Sequence, residues 1–200
     1  VENGAVVRST GVGEQSGIGV EDDGKGEVKV DGGTLNISQG GFGIGVEGKG
    51  LLEVTGGGEA MLGAAALGYL PGGSGELIVS NGGRVSVAGG GGALSVGYSS
   101  GSEGVVSIGG RKGEAAKGAG ILNVSAIAFG SGDGELRFNH NETTYNFVNS
   151  AGNPILVVGY GDLIHEGPGT TVLSANTVEV NNVQADSGSL VFTSASAKAK

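Results

Sequence analysis

The sequence contains no cysteine and no tryptophan, only 3 prolines and 2 histidines, and 4% aromatic residues. Without cysteine there is no disulfide, no thiolate metal ligand and no cysteine nucleophile. A cysteine-free chain suits the cytosol, and equally an exported bacterial protein that must stay unbridged in transit. Few large aromatic side chains speak against a wide globular core. Three prolines, with glycines not spaced at every third position, exclude collagen. No apolar run approaches the ~18 residues of a membrane-crossing helix. Positive charge is scarce as well: 11 Lys and Arg stand against 20 Asp and Glu, for a net charge of −9. Neither a nucleic-acid groove nor direct binding to anionic lipid is expected from that balance. The chain opens on Val1 with no visible signal peptide, so a segment of a longer protein is expected.

What is abundant is glycine, 46 residues of 200. Five stretches share one pattern, a glycine with apolar residues two and four positions later: GEVKV from Gly26, GLLEV from Gly50, GELIV from Gly75, GVVSI from Gly104 and GELRF from Gly134. The glycines step by 24, 25, 29 and 30 residues. Alternation with period two marks half-buried strands, and a period of this length marks a stacked repeat. Asp31-Gly32-Gly33 and Asn81-Gly82-Gly83 supply corners that accept positive φ. The block from Gly75 shows the whole unit: ELIV, a corner, RVSV at 84–87, a glycine run, and ALSVG at 93–97. Successive tight hairpins are the competing reading of the same corners. The recurrence of equivalent positions favours an all-β chain, a right-handed parallel β-helix with three short strands per coil of about 25 residues. Eight or so coils would make a rod of about 40 Å. Residues 1–138 read as the glycine-rich repeats, 139–193 as further coils of the same rod, and 194–200 as a frayed tail. Sparser glycine and larger apolar residues mark 134–193 as the expected stable folding nucleus.

Two features stand out as candidate binding elements. In the coil from Gly75 the second strand starts eight residues after the first, at 84 against 76; in the coil from Gly104 it starts sixteen after, at 121 against 105. The insertion at 109–120 carries Arg111, Lys112, Glu114 and Lys117, and a protruding, dispensable charged loop is expected. LGYL, VGYS and VGYG align Tyr69, Tyr98 and Tyr160 on the third side. These form either an aromatic ligand strip or, the favoured reading, an aromatic ladder that stiffens a corner. No catalytic or metal site is expected. His140 and His165 have no partners at ligand spacing, and Glu21-Asp22-Asp23 reads as a solvated turn. Carboxylates scatter through the corners with no coil placing several together, which argues against a polysaccharide-cleaving solenoid.

VGYSSGSEGVVSIGG (96–110) and GSGELIVSNGGRVSVAGGGGALSVGYSSG (73–101) resemble the glycine-rich repeats of bacterial autotransporter passenger domains. GELRFNHNETTYNF (134–147) resembles a coil that recurs in autotransporter adhesins. GDLIHEGPGTTVLSANT (161–177) is similar to the autotransporter-associated strand repeat, with Gly161, Leu163, Gly167, Gly169, Thr170 and Leu173 at its positions. The resemblance implies a passenger carried to the bacterial cell surface, or released after cleavage, by a C-terminal translocator β-barrel outside this segment. It implies an adhesin, not an enzyme. Its partner would be a host-cell or extracellular-matrix receptor, or another copy through self-association, with no nucleic acid and no cofactor. A stalk presenting an N-terminal module is the alternative, and a polysaccharide-active enzyme a more distant one. No binding residue carries over from the family.

Overall fold

A computed structural model describes residues 1–2, 4–8, 16–174 and 177–193. The expected tail at 194–200 lies outside them. The chain is 60% strand and 2% helix, wound as a right-handed parallel β-solenoid of about six turns with roughly 26 residues per turn. The competing hairpin reading is excluded: every strand ladder is parallel and joins one coil to the next, as the repeat predicts. Six turns at about 4.8 Å give a stack of about 29 Å, shorter than eight coils would give.

The cross-section is triangular. The first face carries Lys25–Asp31, Lys49–Thr55, Ser74–Val79, Glu103–Gly109, the downstream halves of Ala126–Asn139 and Leu156–His165, and Asn182–Ala185. Arg84–Val87 and Ile121–Asn123 lie on the second face, and Ala93–Val96 on the third. Thr34–Ile44 and Glu59–Leu67 each run along the second face, bend, and continue along the third. Parallel in-register stacking puts like residues over like. Leu52, Leu77, Val106, Leu136 and Leu163 form one interior column, and Val30, Val54, Val79, Ile108 and Phe138 another. All of these are fully buried. Each contributes on the order of 1.5–3 kcal/mol of transfer free energy before entropy.

The repeated glycine has a packing cause. Gly26, Gly50, Gly75, Gly104, Gly134 and Gly161 form a third inward column. There the first face meets the end of the third. A Cβ on Gly75 would stand 2.0 Å from the carbonyl oxygen of Ile44, and one on Gly104 would stand 2.5 Å from the amide nitrogen of Gly97. The corner glycines act differently. At Asn81-Gly82 the φ values are 46° and 74°, as the Asn-Gly-Gly pattern predicts.

The last described coil is less covered than expected. Phe192, which continues the inward position of Leu173, is 40% exposed, and Val183, which continues that of Leu163, is 47% exposed. No further described coil stacks on Asn182–Ala185 and Ser189–Thr193 to cover them. The well-buried interior of the region expected as the nucleus therefore ends at Leu173, which is 2% exposed.

At that end the interior changes character. Phe138, His140, Tyr145, Phe147 and His165 pack as one aromatic group, with the two imidazoles edge to face at 5.4 Å. His140 accepts the Glu142 N–H at Nδ1 (3.2 Å), which leaves its Nε2–H to donate to Thr171 Oγ1 (2.6 Å). His165 donates from Nδ1 to the Ser187 carbonyl (3.0 Å), and its buried Nε2 has no partner among the described residues. Burial pushes His140 down to about 4, aided by His165, and pushes His165 below its ordinary range.

Two measurements check this architecture. Gly75→Ala should lower the unfolding free energy by about 3 kcal/mol, the upper end for overpacking, because its clash is with backbone. Gly57→Ala, at φ 74° in open space, should cost only about 1–2 kcal/mol. Equal costs in urea denaturation would remove the packing explanation. The histidines set a pH dependence. The unfolded chain protonates near pH 6.5 while the folded chain resists to about 4, so stability is lost as pH falls through that window. The His140 part is on the order of 3 kcal/mol. His165→Phe, which continues the column of Phe138, should make the urea midpoint fall less between pH 7 and 4.5 than it does in the parent chain.

Candidate functional site

The insertion is tied to the body of the solenoid rather than free. Gly110 and Lys117 donate their N–H groups to the Asn139 carbonyl at 2.7 and 3.3 Å. The buried Asn139 amide donates back to the carbonyls of Arg111 (3.0 Å) and Glu114 (3.1 Å). Asn81 and Gly82 donate to the carbonyls of Gly118 and Ala119 at 2.7 and 3.0 Å. Within the insertion only residues 111–115 are exposed. Arg111 folds back across the first face and clasps Glu76 with two contacts, one of 2.9 Å from Nε to Oε1. That hydrogen bond raises the guanidinium above its already high range. Lys117 pairs with Glu114 at 3.0 Å within the loop and holds that carboxyl below its usual range.

The tyrosines divide. Tyr69 and Tyr98 stack with ring centroids 5.0 Å apart. Tyr160 does not join them. Phe129 pairs with Val96 on one side and Gly159 on the other, so Tyr160 sits one position earlier in its coil than the alignment implies. Ser131, which donates its N–H to the Tyr98 carbonyl, occupies the ladder position in the intervening coil. Tyr160 is instead 73% exposed on the first face.

There it lines an open groove of about 630 Å³, together with Arg111 and Lys112 from the insertion. Glu114 and Lys117 are not part of it. The groove also gathers Glu76, Glu103, Asp133, Glu135 and Asp162, which corrects the expectation that carboxylates scatter. They come from four successive coils. Glu103 lies in register with Asp133, and Glu135 with Asp162. Among them stands Arg137, on the outer side of its strand yet only 2% exposed. It bridges Glu135, at 2.5 Å from Nη2 to Oε2, and Glu166. Both faces of that guanidinium charge are thus compensated, as burial requires. A shallower hollow of about 300 Å³ continues the face over Lys25, Glu27, Lys49 and Leu51, with the Arg111–Glu76 pair between the two.

The sequence holds a signal for this grouping. Reading only the residues that flank each glycine of the inward column gives Lys25 and Glu27, Lys49 and Leu51, Ser74 and Glu76, Glu103 and Val105, Asp133 and Glu135, Tyr160 and Asp162. Those flanking positions point outward, and between them they line the groove and the shallower hollow beside it.

Among the described residues, no group of three or more His, Asp or Glu is placed to hold a metal ion, and no helix is long and apolar enough to cross a membrane. The fold defines the chain as a parallel β-solenoid with a charged groove on one face. No protein-family model, characterised protein or solved structure matches it.

The tethers of the insertion change what its removal should do. Replacing residues 110–117 with a two-residue turn strips the buried Asn139 amide of both acceptors, a loss of about 1–3 kcal/mol. The melting temperature should drop by roughly 2–12 °C. An unchanged melting temperature would show that the loop is only a spacer.

Proposed function

We propose that this chain is a surface-exposed recognition segment of an autotransporter-type adhesin, which binds without covalent chemistry along its first face. The observation that supports this reading is the groove itself. Its floor is a continuous parallel sheet whose backbone groups are already paired, so recognition falls to fixed outward side chains. Charges of both signs and one exposed tyrosine ring offer hydrogen bonds, ion pairs and a stacking surface to a host-cell or matrix ligand. Rigid, pre-placed groups limit the entropy lost on binding. In this reading the solenoid would be held at the bacterial surface by a translocator barrel.

A second reading has one observation in its favour. Carboxylates in register on neighbouring coils, Glu103 with Asp133 and Glu135 with Asp162, are the arrangement that a polysaccharide-cleaving solenoid would use.

Glycan and matrix-protein arrays probed with the chain separate these readings. Binding that falls at least tenfold in Tyr160→Ala and Asp162→Asn, with circular dichroism unchanged, supports the adhesin. No binding by the folded chain points to a stalk and defeats the proposal. Polysaccharide cleavage abolished by Glu135→Gln would replace it with the enzyme.

A further inference from the structure

The corner Ser80-Asn81-Gly82-Gly83 carries a chemical reactivity that the fold does not need. A glycine after an asparagine leaves no side chain in the way of its own nitrogen reaching the asparagine carboxamide, the approach from which a succinimide closes. Asn81 and Gly82 are both exposed, and a Cβ on Gly82 would meet nothing within 4 Å. Yet both reacting groups are occupied. The Gly82 N–H donates to the Ala119 carbonyl at 3.0 Å. Asn81 Oδ1 accepts the Gly118 N–H at 3.2 Å, and Asn81 Nδ2 donates to Thr55 Oγ1 at 3.3 Å. The Asn81 N–H is held as well, by the Gly118 carbonyl at 2.7 Å.

All but the Thr55 contact come from one piece of chain, the return arm of the insertion at 117–120. The following coil pins that arm from its other side. Lys117 donates its N–H to the Asn139 carbonyl at 3.3 Å, and its own carbonyl accepts the Asn141 N–H at 3.2 Å. The Ala119 N–H donates to Glu142 Oε1 at 3.3 Å, and the Tyr145 hydroxyl to the Gly120 carbonyl at 2.9 Å. We infer that Asn81 is a self-modification site guarded by the return arm: when the arm lifts, Asn81 converts to aspartate or isoaspartate, and the arm does not seat again.

The freed Gly82 nitrogen gives up its proton and attacks Asn81 Cγ. The new C–N bond closes the succinimide; the bond from Cγ to Nδ2 breaks, and the amide leaves with that proton as ammonia. Water then opens the ring. Addition at Cγ leaves aspartate on a normal backbone. Addition at the main-chain carbonyl carbon of Asn81 leaves isoaspartate, with the chain rerouted through the side chain. One water is consumed, one ammonia is released, and nothing is oxidised or reduced. Both products weaken the guard. Isoaspartate adds a carbon to the main chain before the Gly82 nitrogen and moves that nitrogen off the Ala119 carbonyl. Aspartate loses the donor to Thr55 and gains a charge. A Cβ on Gly118 would lie 3.2 Å from Asn81 Oδ1 and 3.7 Å from Glu142 Oε1, so the new carboxylate faces that of Glu142 across the arm. The same insertion carries Arg111 and Lys112, which wall the groove. That last consequence rests on the recognition reading; the modification does not, and its test uses no ligand.

Peptide mapping follows Asn81 and separates it from Asn3-Gly4, the other Asn-Gly pair in the sequence. A peptide of residues 78–85 gives the unguarded rate at mildly alkaline pH. In the parent chain conversion should be at least about tenfold slower, since only the fraction with the arm lifted reacts. Gly118→Pro, which removes the donor to Asn81 Oδ1, and urea below the unfolding transition should each speed it at least about threefold, with circular dichroism unchanged. Reacted chains, separated by their added negative charge, should exchange amide hydrogens faster at 117–120 than unreacted ones, while Glu103–Gly109 keeps its protection. Conversion at the rate of the peptide, a rate that either change leaves untouched, or unaltered exchange at 117–120 would each overturn the proposal.

Discussion

The whole solenoid depends on backbone passing close to backbone at one inner corner. Where the third face ends and the first begins, the chain of one coil lies within a Cβ's reach of its neighbour. Backbone blocks a Cβ at Gly50, Gly75 and Gly104, the Ile18 side chain does so at Gly26, and the Phe129 ring at Gly134 and Gly161. Because the corner is tight, the cross-section is small. Because the cross-section is small, Val, Ile and Leu fill it, and the low aromatic content follows. Phe42 is the one large ring buried in the early coils; Phe138, Tyr145 and Phe147 gather toward the far end, where they surround the two imidazoles.

The repeat was legible in the sequence for the same reason. Parallel strands stacked in register place each residue over its counterpart, so a steric demand made once is made in every coil and prints a period. Asn81-Gly82 was legible because positive φ restricts the residue type. The groove was not legible by that route. Outward positions answer to solvent and partners rather than to a shared corner, so Lys49, Ser74 and Glu103 occupy one column without resembling one another. Their grouping emerges only when the inward glycine is used as a ruler. Tyr160 was misplaced by a single residue because the corner between Phe129 and Gly134 shifts register, which motif alignment does not see. The anchoring of the insertion had no signature at all: Asn139 holds it through main-chain carbonyls, to which any residue type can contribute.

Inside and outside therefore evolve under separate constraints. An inward change propagates up and down a column, as the Gly75 corner shows. An outward change touches at most its two register neighbours. The first face exploits that freedom by grading charge along the rod, from Lys25 and Lys49 to Glu103 and Asp133, while the interior beneath stays a uniform stack of aliphatic side chains.

Coil-to-coil pairing also determines how the molecule bears load. Its ladders run along the stack, so a pull applied at the two ends peels strands off one coil at a time instead of shearing a sheet as a block. Each coil of roughly 26 residues would pay out about 85 Å of extended chain before the next is stressed. Under tension the rod behaves as a ratcheted reserve of length, yielding at low force and limiting the jolt passed to whatever its two ends hold.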